Sequence, residues 1–403
     1  MLDATTIKEY AYSLGFDLAR ITSADAFPET ERIVRERIER GLMDGLPWFT
    51  AERAGVSCHP AALLPEARSI IALAMFYLAE QPDETDDGLP RGRISRYAWG
   101  DDYHDIIKPK LQQFAAWLRE YAQDDLPDTQ TRLFVDTGRM VDRAVAQRAG
   151  LGWYGKNTNI LTHGWGSWVF LAEIVTNLPL GGDTDSQYDQ PSKASCGHCD
   201  ICLRACPTGA LPAPYVLDNT RCISYLTIEL RGSIPIELRP LMGNLIFGCD
   251  ICQQVCPVNI VAERRLGLRH DDKVASTPLL QLQPRPAFRP RADTGSSPAL
   301  IPLLSLTEEQ FRERFRYSPI KRAKRRGLLR NVCVALGNIG DPQAIPALTA
   351  SLRDAEALVR GHAAWALGQI GGPRARQALE GALPEEADES ARQEILCALS
   401  QLN

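Results

Sequence analysis

Residues 196–207 read CGHCDICLRACP, and residues 249–257 read CDICQQVCP. The first run sets Cys196, Cys199, Cys202 and Cys206 before Pro207, in the CxxCxxCxxxCP spacing that holds [4Fe–4S] cubanes. The second sets Cys249, Cys252 and Cys256 before Pro257, the same run without its first cysteine, and Cys222 between the two brings the count to eight thiols. Eight thiolates ligate two cubanes. The fourth cysteine of such a run usually serves the other cluster. The spacing therefore predicts Cys196, Cys199, Cys202 and Cys256 around one cluster, and Cys206, Cys222, Cys249 and Cys252 around a second, close enough for single electrons to pass between them.

Zinc also accepts four thiolates, but its motifs pair two CxxC units and need neither the third cysteine nor the terminal Cys-Pro. A disulfide framework suits a short secreted chain. This chain has 403 residues and opens MLDATTIKEYAYSLGF, with acidic residues and no long apolar segment of the export type. The cytoplasm is the expected compartment. The most apolar run, IIALAMFYLA at 70–79, falls far short of the roughly 20 residues that a membrane helix needs. It reads as a buried strand, and no membrane contact is expected. A net charge of −5 does not mark a nucleic-acid binder, although an average can hide a local basic patch. Cys58, Cys333 and Cys397 stand outside the spaced runs and are not expected to be ligands.

Length and composition fit two or three globular domains. Helical spacing covers 3–15 and 29–41, with Thr5 or Thr6 and Thr30 as caps, and 105–122, with Phe114, Trp117 and Leu118 on one side. A strand over Leu133–Val135 leads to Asp136, a glycine turn and a helix from about Met140 to Ala149. An acid at a strand exit is well placed for catalysis, and equally well placed to cap the next helix. The loop GLGWYGKN at 150–157 suits backbone approach to a flat or phosphorylated ligand, or is simply a tight turn. Asp102 and His104 begin the DxHxxG pattern by which some cobalamin enzymes supply a histidine to cobalt. Ile107 stands where that pattern needs glycine, and a lone histidine is more often a hydrogen-bonding side chain. Another buried strand, Trp165–Thr176, and a polar loop at 181–193 lead to the cysteines.

Six prolines between Pro278 and Pro302 mark an extended connector. Beyond it, NVCVALGNIGDP from Asn331 matches HAAWALGQIGGP from His362 at a period of 31 residues, and Ile395–Leu399 echoes it. Paired helices with a glycine turn fit a HEAT-like solenoid. Residues 312–330, RERFRYSPIKRAKRRGLLR, hold nine Lys or Arg against one Glu. They read as a basic helix, either a solvated face or an RNA-binding surface. The expected fold class is α+β: an α/β catalytic domain at 1–190, a ferredoxin-like two-cluster module at 191–262, a connector at 263–311, and the basic helix with HEAT-like repeats at 312–403.

ISRYAWGDDYH at 94–104, VDTG at 135–138, AGLGWYGKN at 149–157, FGCDICQQVCPVN at 247–259 and RGLLRNVCVALGN at 326–338, together with the first cysteine run, closely resemble the epoxyqueuosine reductase family. These bacterial enzymes perform the last step of queuosine synthesis in tRNA. The resemblance covers nearly the whole chain. It implies a cobalamin-dependent, oxygen-sensitive reductase with two [4Fe–4S] clusters, related to the reductive dehalogenases and acting as a monomer. It further implies a tRNA carrying epoxyqueuosine as substrate and an external low-potential electron donor.

On this resemblance Asp136 is the proton donor, and the corrin is held around Trp99, Asp136, Lys156, Asn157, Ile160, Leu171, Ser224, Arg231 and Asp250. Two residues depart from the family pattern. Arg139 stands where proline is common after the DTG triplet, and Ser57 stands where an arginine contacts the cofactor, a place that either Ser57 itself or Arg53, through a small insertion, would fill. Removing the epoxide oxygen takes two electrons and two protons and releases water, so the corrin carries the difficult chemistry while the protein orients the substrate and supplies an acid. The rival readings are a reductive dehalogenase-like enzyme and a ferredoxin/HEAT electron-transfer scaffold. Dehalogenases usually carry an export signal and have no use for a tRNA-sized surface.

Overall fold

The structure is a computed structural model, and it describes residues 3–82, 87–181, 195–268 and 285–402. Most of the polar loop at 181–193, residues 83–86, and Pro278 and Pro284 of the connector lie outside the described residues.

Four strands form the central sheet: β1 Leu18–Ser23, β2 Ser69–Phe76, β3 Thr131–Phe134 and β4 Val169–Thr176, in the order β1-β2-β4-β3. Every neighbouring pair is antiparallel. All eight residues of β2 are buried, because both faces of the sheet are covered. Side chains alternate across a strand. Ile71, Leu73 and Met75 therefore pack against helices Ala4–Ser13 and Tyr103–Tyr121 through Ile7, Leu111 and Phe114. Ile70, Ala72 and Ala74 face the opposite way, toward helix Asp142–Arg148 through Ala144 and Val145. This double cover explains an apolar run with no polar alternation, and each large side chain in it contributes roughly 1.5–3 kcal/mol.

Several helix starts differ from those expected. Helix Ala4–Ser13 is capped by Asp3, whose carboxylate accepts from the Thr5 and Thr6 amides at 3.1 Å, so the threonines are donors in the first turn and not caps. Helix Pro28–Glu39 starts on Pro28 with no side-chain cap, which leaves Thr30 inside its first turn. Proline suits that position because its fixed φ is already helical. Helix Tyr103–Tyr121 begins two residues before the expected 105, since Asp102 accepts from the His104 amide at 3.0 Å.

Residues 312–330 are not one helix. Helix Glu308–Arg314 ends at Phe315, a 3₁₀ turn spans Pro319–Ala323, and a new helix runs Lys324–Ile339. Proline at 319 removes an amide donor and disfavours helical geometry at Ser318, and Lys324 opens the second helix with a φ of 61°.

Helices Lys324–Ile339, Ala357–Ile370 and Glu389–Gln401 stack in register as the inner layer of the repeats, with Ile345–Ser351 and Gly372–Ala382 outside. The repeated glycine of ALGN and ALGQ marks the closest approach. A Cβ on Gly337 would stand 2.6 Å from the Trp365 ring, and one on Gly368 would stand 2.9 Å from Ala398. The repeats share one buried core with 223–247, through Leu226, Ile246 and Phe247 on one side and Leu328, Val332 and Ala335 on the other. Arg330, fully buried, donates to the carbonyls of Leu226, Leu230 and Gly232 and fastens the two parts together.

Candidate active site

Between the sheet, the cysteine segments and the first repeat lies an open cavity of about 1290 Å³. Asp136 enters it from the end of β3. Its φ of 51° is left-handed, an uncommon conformation for a residue other than glycine. The turn is tight: the Thr137 amide donates to Val135 O at 2.5 Å, and a Cβ on Gly138 would meet the Phe134 ring at 2.5 Å. Arg53 Nη2 donates to the Gly138 carbonyl at 2.7 Å, so Arg53 reaches this loop, while Ser57 is buried in helix Ala51–Ser57. Asp136 does not cap the helix that follows, which starts at Asp142 with Val141 in the cap position and no side-chain cap.

The Tyr103 hydroxyl donates to Asp136 Oδ2 at 2.5 Å. Tyr103 stacks between His104 and Phe170, and Tyr97 lies edge-on to it. Burial, then the charge of Asp136, pushes both phenols well above their ordinary range, so both remain donors. His104 lines the same cavity. Its Nδ1 lies 2.9 Å from Asp102 Oδ1, and Lys321 Nζ lies 2.8 Å from Asp102 Oδ2. Burial opposes ionisation of Asp102, but the bonds from His104 and Lys321 outweigh it and hold the carboxyl well below the usual carboxylate range.

Cys206, Cys222, Cys249 and Cys252 all line the cavity wall. Burial is the largest influence on Cys222, Cys249 and Cys252. It pushes the Cys249 thiol up to about 12, with Cys222 and Cys206 adding to the shift. Cys202 sits instead with Cys196, Cys256 and Cys199, each of which raises it after burial does. All eight thiols are free. Among the described residues, no three His, Cys, Asp or Glu side chains converge on the space of one metal ion.

The GLGWYGKN loop meets both quartets. Its Gly152–Tyr154 segment pairs with Ile160–Thr162 as a small hairpin, and Gly152 is pressed against Leu161 O, so the glycine serves the hairpin's own packing. The Lys156 amide donates to Cys196 Sγ at 3.4 Å, and its Nζ donates to Gly197 O at 2.7 Å. Asn157 Nδ2 donates to Cys252 O at 3.2 Å and also lines the large cavity.

The remaining expected contacts divide among several places. Ser224 lines the large cavity. Ile160 and Leu171 line a smaller recess of about 180 Å³ that shares Asp136 and Tyr103 with it. Trp99 and Asp250 line a different cavity, of about 570 Å³. There Trp99 Nε1 donates to Ile94 O at 2.8 Å, and Asp250 accepts from Ser95 Oγ at 2.5 Å and from the Arg96 amide at 2.7 Å. Arg231 Nη1 donates to Arg322 O at 2.9 Å, outside the large cavity. Sequence reasoning gave no role to Tyr103, although it sits inside the quoted GDDYH motif. It also passed over Asp142 and Glu173, whose pairing no local pattern announces.

The basic stretch reaches the cavity rim through Arg312, Arg316, Lys321, Arg322 and Lys324. Several of its cations are already paired. Arg322 bonds to Glu229, and Arg325 bridges to Asp354 at 2.5 Å with both groups largely buried.

A family model described as "Epoxyqueuosine reductase QueG, DUF1730" matches residues 58–137, a 4Fe-4S double cluster binding domain matches 195–259, and HEAT repeats match 321–400. The epoxyqueuosine reductase of Bacillus subtilis (strain 168) is 37% identical over 390 residues, covering 96% of this chain and 92% of its own. This chain belongs to the epoxyqueuosine reductase family. A crystal structure of an epoxyqueuosine reductase with an epoxyqueuosine-modified tRNA-Tyr stem loop aligns with a TM-score of 0.85 at 35% identity, covering 99% of this chain and 98% of that one. A Bacillus subtilis epoxyqueuosine reductase, whose aspartate catalytic loop is swung out of the active site, aligns equally well at 34% identity over the same shares. Membership fixes the enzyme class as a reductase, with a 4Fe-4S domain beside the cavity and HEAT repeats docked behind it.

Proposed function

We propose that this protein reduces epoxyqueuosine to queuosine in the wobble position of tRNA, with Asp136 delivering a proton to the departing oxygen. The observation that carries this reading is a convergence: Asp136 and the quartet Cys206, Cys222, Cys249 and Cys252 open onto one cavity whose rim is basic. Family membership and the relative bound to a modified tRNA stem loop support it.

The eight cysteines hold two [4Fe–4S] clusters in the two quartets. Cys196 and Cys199 are partly exposed and flank the exposed Gly197 and His198, so an external low-potential donor delivers electrons at that end. The second quartet passes them into the cavity. Buried thiols driven upward in this way are poor anions unless a positively charged centre takes their protons' place, which suits a cluster.

The residues also fit a cobalamin. The cavity exceeds the ordinary range for drug-sized ligands, roughly 300–1,000 Å³. Its wall combines aromatic rings (Tyr97, Tyr103, Tyr225) with hydrogen-bonding groups from Asn157 and Ser224. Bound there, cobalamin would supply a strongly reducing centre that accepts single electrons and delivers them to the substrate. Tyr103 orients Asp136, and the buried phenols keep their protons and stay donors. The rim cations Arg316, Lys321 and Lys324 meet the phosphates of the anticodon arm. Asp136 donates its proton as the carbon–oxygen bond breaks, and the oxygen leaves as water after a second protonation. The protein acts as a monomer in the cytoplasm; among the described residues no helix is long and apolar enough to cross a membrane.

The test is conversion. Cluster-loaded protein supplied with cobalamin, a low-potential reductant and an epoxyqueuosine-containing stem loop, without oxygen, should yield a nucleoside lighter by one oxygen atom. An unchanged nucleoside mass with full cluster and cobalamin content would refute the reading.

A further inference from the structure

Behind Asp136, on the face of the sheet that packs against helix Asp142–Arg148, two carboxyl groups meet in the interior. Glu173 is 1% exposed in the middle of β4, opposite Ala72 on one side and Phe134 on the other. Its carboxyl lies beside that of Asp142, the first residue of the helix, and each shifts the titration of the other. Among the described residues, Glu173 Oε2 and Asp142 Oδ1 are buried and meet no donor. Two carboxylates cannot hydrogen-bond to each other without a proton between them. An unpaired polar atom in a sheet core costs stability and calls for a reason.

The recess of about 180 Å³ gives that reason. Its wall includes Asp142, Asp136, Tyr103, Arg143, Asn159 and Ser167, and it shares Asp136, Tyr103, Arg143 and Asn159 with the large cavity. It is polar and roomy enough for several waters. The pair is thus connected to the donor carboxyl and, beyond it, to solvent.

We propose that Glu173 and Asp142 share one proton and form a reservoir that recharges Asp136 through this recess. The reaction consumes two protons, and Asp136 holds one. After Asp136 has lost its proton to the substrate oxygen, Asp142 releases the shared proton to water in the recess, and water passes it to Asp136. One O–H bond breaks on the pair and one forms on Asp136. The pair, now doubly charged in a buried site, regains its proton from solvent through the large cavity. Glu173 never touches the substrate; it is a positioning residue that acts through Asp142 and Asp136.

The surroundings suit this role. Both carboxyls are held above the usual carboxylate range, first by burial and then, for Glu173, by the charge of Asp142, with Asp136 adding to both. Two cations stand near the pair: Arg143, whose Nη1 donates to Thr158 O at 3.1 Å, pulls Asp142 downward by less than burial raises it, and Arg53 donates through Nη2 to Gly138 O. Tyr154 faces Asp142 from the hairpin and is itself pushed upward by burial, so it stays neutral.

The inference rests on the reading of Asp136 as proton donor, and the test keeps the two apart. Glu173→Gln and Asp142→Asn are compared with the parent and with Asp136→Asn at equal iron and cobalamin content. In Glu173→Gln, turnover should fall about tenfold, and its decline with rising pH should begin about one unit lower, since an amide cannot hold the mobile proton. A proton held more tightly in the folded state than in the unfolded one makes the fold lose stability as pH rises above the ordinary carboxylate range. Glu173→Gln should therefore gain on the parent in melting temperature as pH is raised, with Asp142→Asn giving the same result if the glutamine variant folds poorly. An unchanged pH-rate profile with a pH-independent melting difference, beside a crippled Asp136→Asn, overturns the reservoir alone. A normal Asp136→Asn overturns the donor reading and the reservoir with it.

Discussion

Tyr103 Oη stands 2.5 Å from Asp136 Oδ2, the one hydrogen bond from a side chain to that carboxylate among the described residues. It joins the first turn of one helix to the exit of a strand 33 residues later. Asp136 sits in a tight left-handed turn, and within it the phenol holds the carboxyl.

Tyr103→Phe should keep the ring stacking on Phe170 and lose only the hydroxyl. Turnover is expected to fall up to about tenfold, the net value of one hydrogen bond that positions the acid, with little change in the KM for tRNA. A rise in KM alone would place the phenol in substrate binding.

Iron analysis of reconstituted protein should give about eight irons per chain, as two cubanes require. Replacing Cys252 or Cys222 by serine should lower that number, while replacing the fully buried Cys58 or Cys333 by alanine should not. About four irons, or zinc in their place, would contradict the two-quartet assignment.

The rim cations predict the salt dependence of tRNA binding. Arg316→Ala with Lys324→Ala should weaken stem-loop binding and flatten the log–log salt slope by about 0.7–0.9 for each phosphate that is no longer neutralised. Arg325→Ala, in the same stretch, should act differently. It removes the partner of Asp354 and leaves that carboxylate partly buried, costing up to about 3 kcal/mol of stability, the low end for a broken buried pair. An unaltered slope in the rim double variant would show that the rim does not meet the backbone of the tRNA.

The junction between the repeats and the cluster segment has its own test. Arg330→Met fits the volume but abandons three backbone carbonyls. Buried acceptors left without a donor cost about 1–3 kcal/mol each at most, so thermal unfolding should shift downward by several degrees and the repeats should become protease-sensitive first. A melting curve like the parent's would mean that the apolar core alone holds the junction.

Much of this architecture is written locally in the chain. The cysteine spacing is contiguous and constrained by its cluster chemistry. The repeat is legible because Gly337 and Gly368 each sit where two helices nearly touch. Strand β2 is legible because both its faces are covered. The rest depends on contacts between distant residues. The break at Pro319 was visible as a residue, but the charge excess around it read as one continuous helix. The pairing of Arg325 with Asp354 joins positions 29 residues apart and removes a cation that composition counts as free. Trp99, surrounded by quoted motif residues, turns its indole nitrogen onto Ile94 O and toward another cavity, a choice of rotamer that no spacing encodes. Glu173 interrupts the apolar run VFLAEIVT in the way a solvent-facing residue would, and only the register of β4, which sets it opposite Ala72 and Phe134, turns it onto the buried face beneath helix Asp142–Arg148.

The central claim, that Asp136 donates the proton, is tested most directly by single-turnover reduction of an epoxyqueuosine stem loop by Asp136→Asn with full cluster and cobalamin content. Asparagine keeps the shape, and the helix that follows does not need it as a cap. The account predicts a folded, loaded protein whose rate is lowered by roughly 10²–10⁴, the range for a lost general acid. A rate close to the parent's would contradict it.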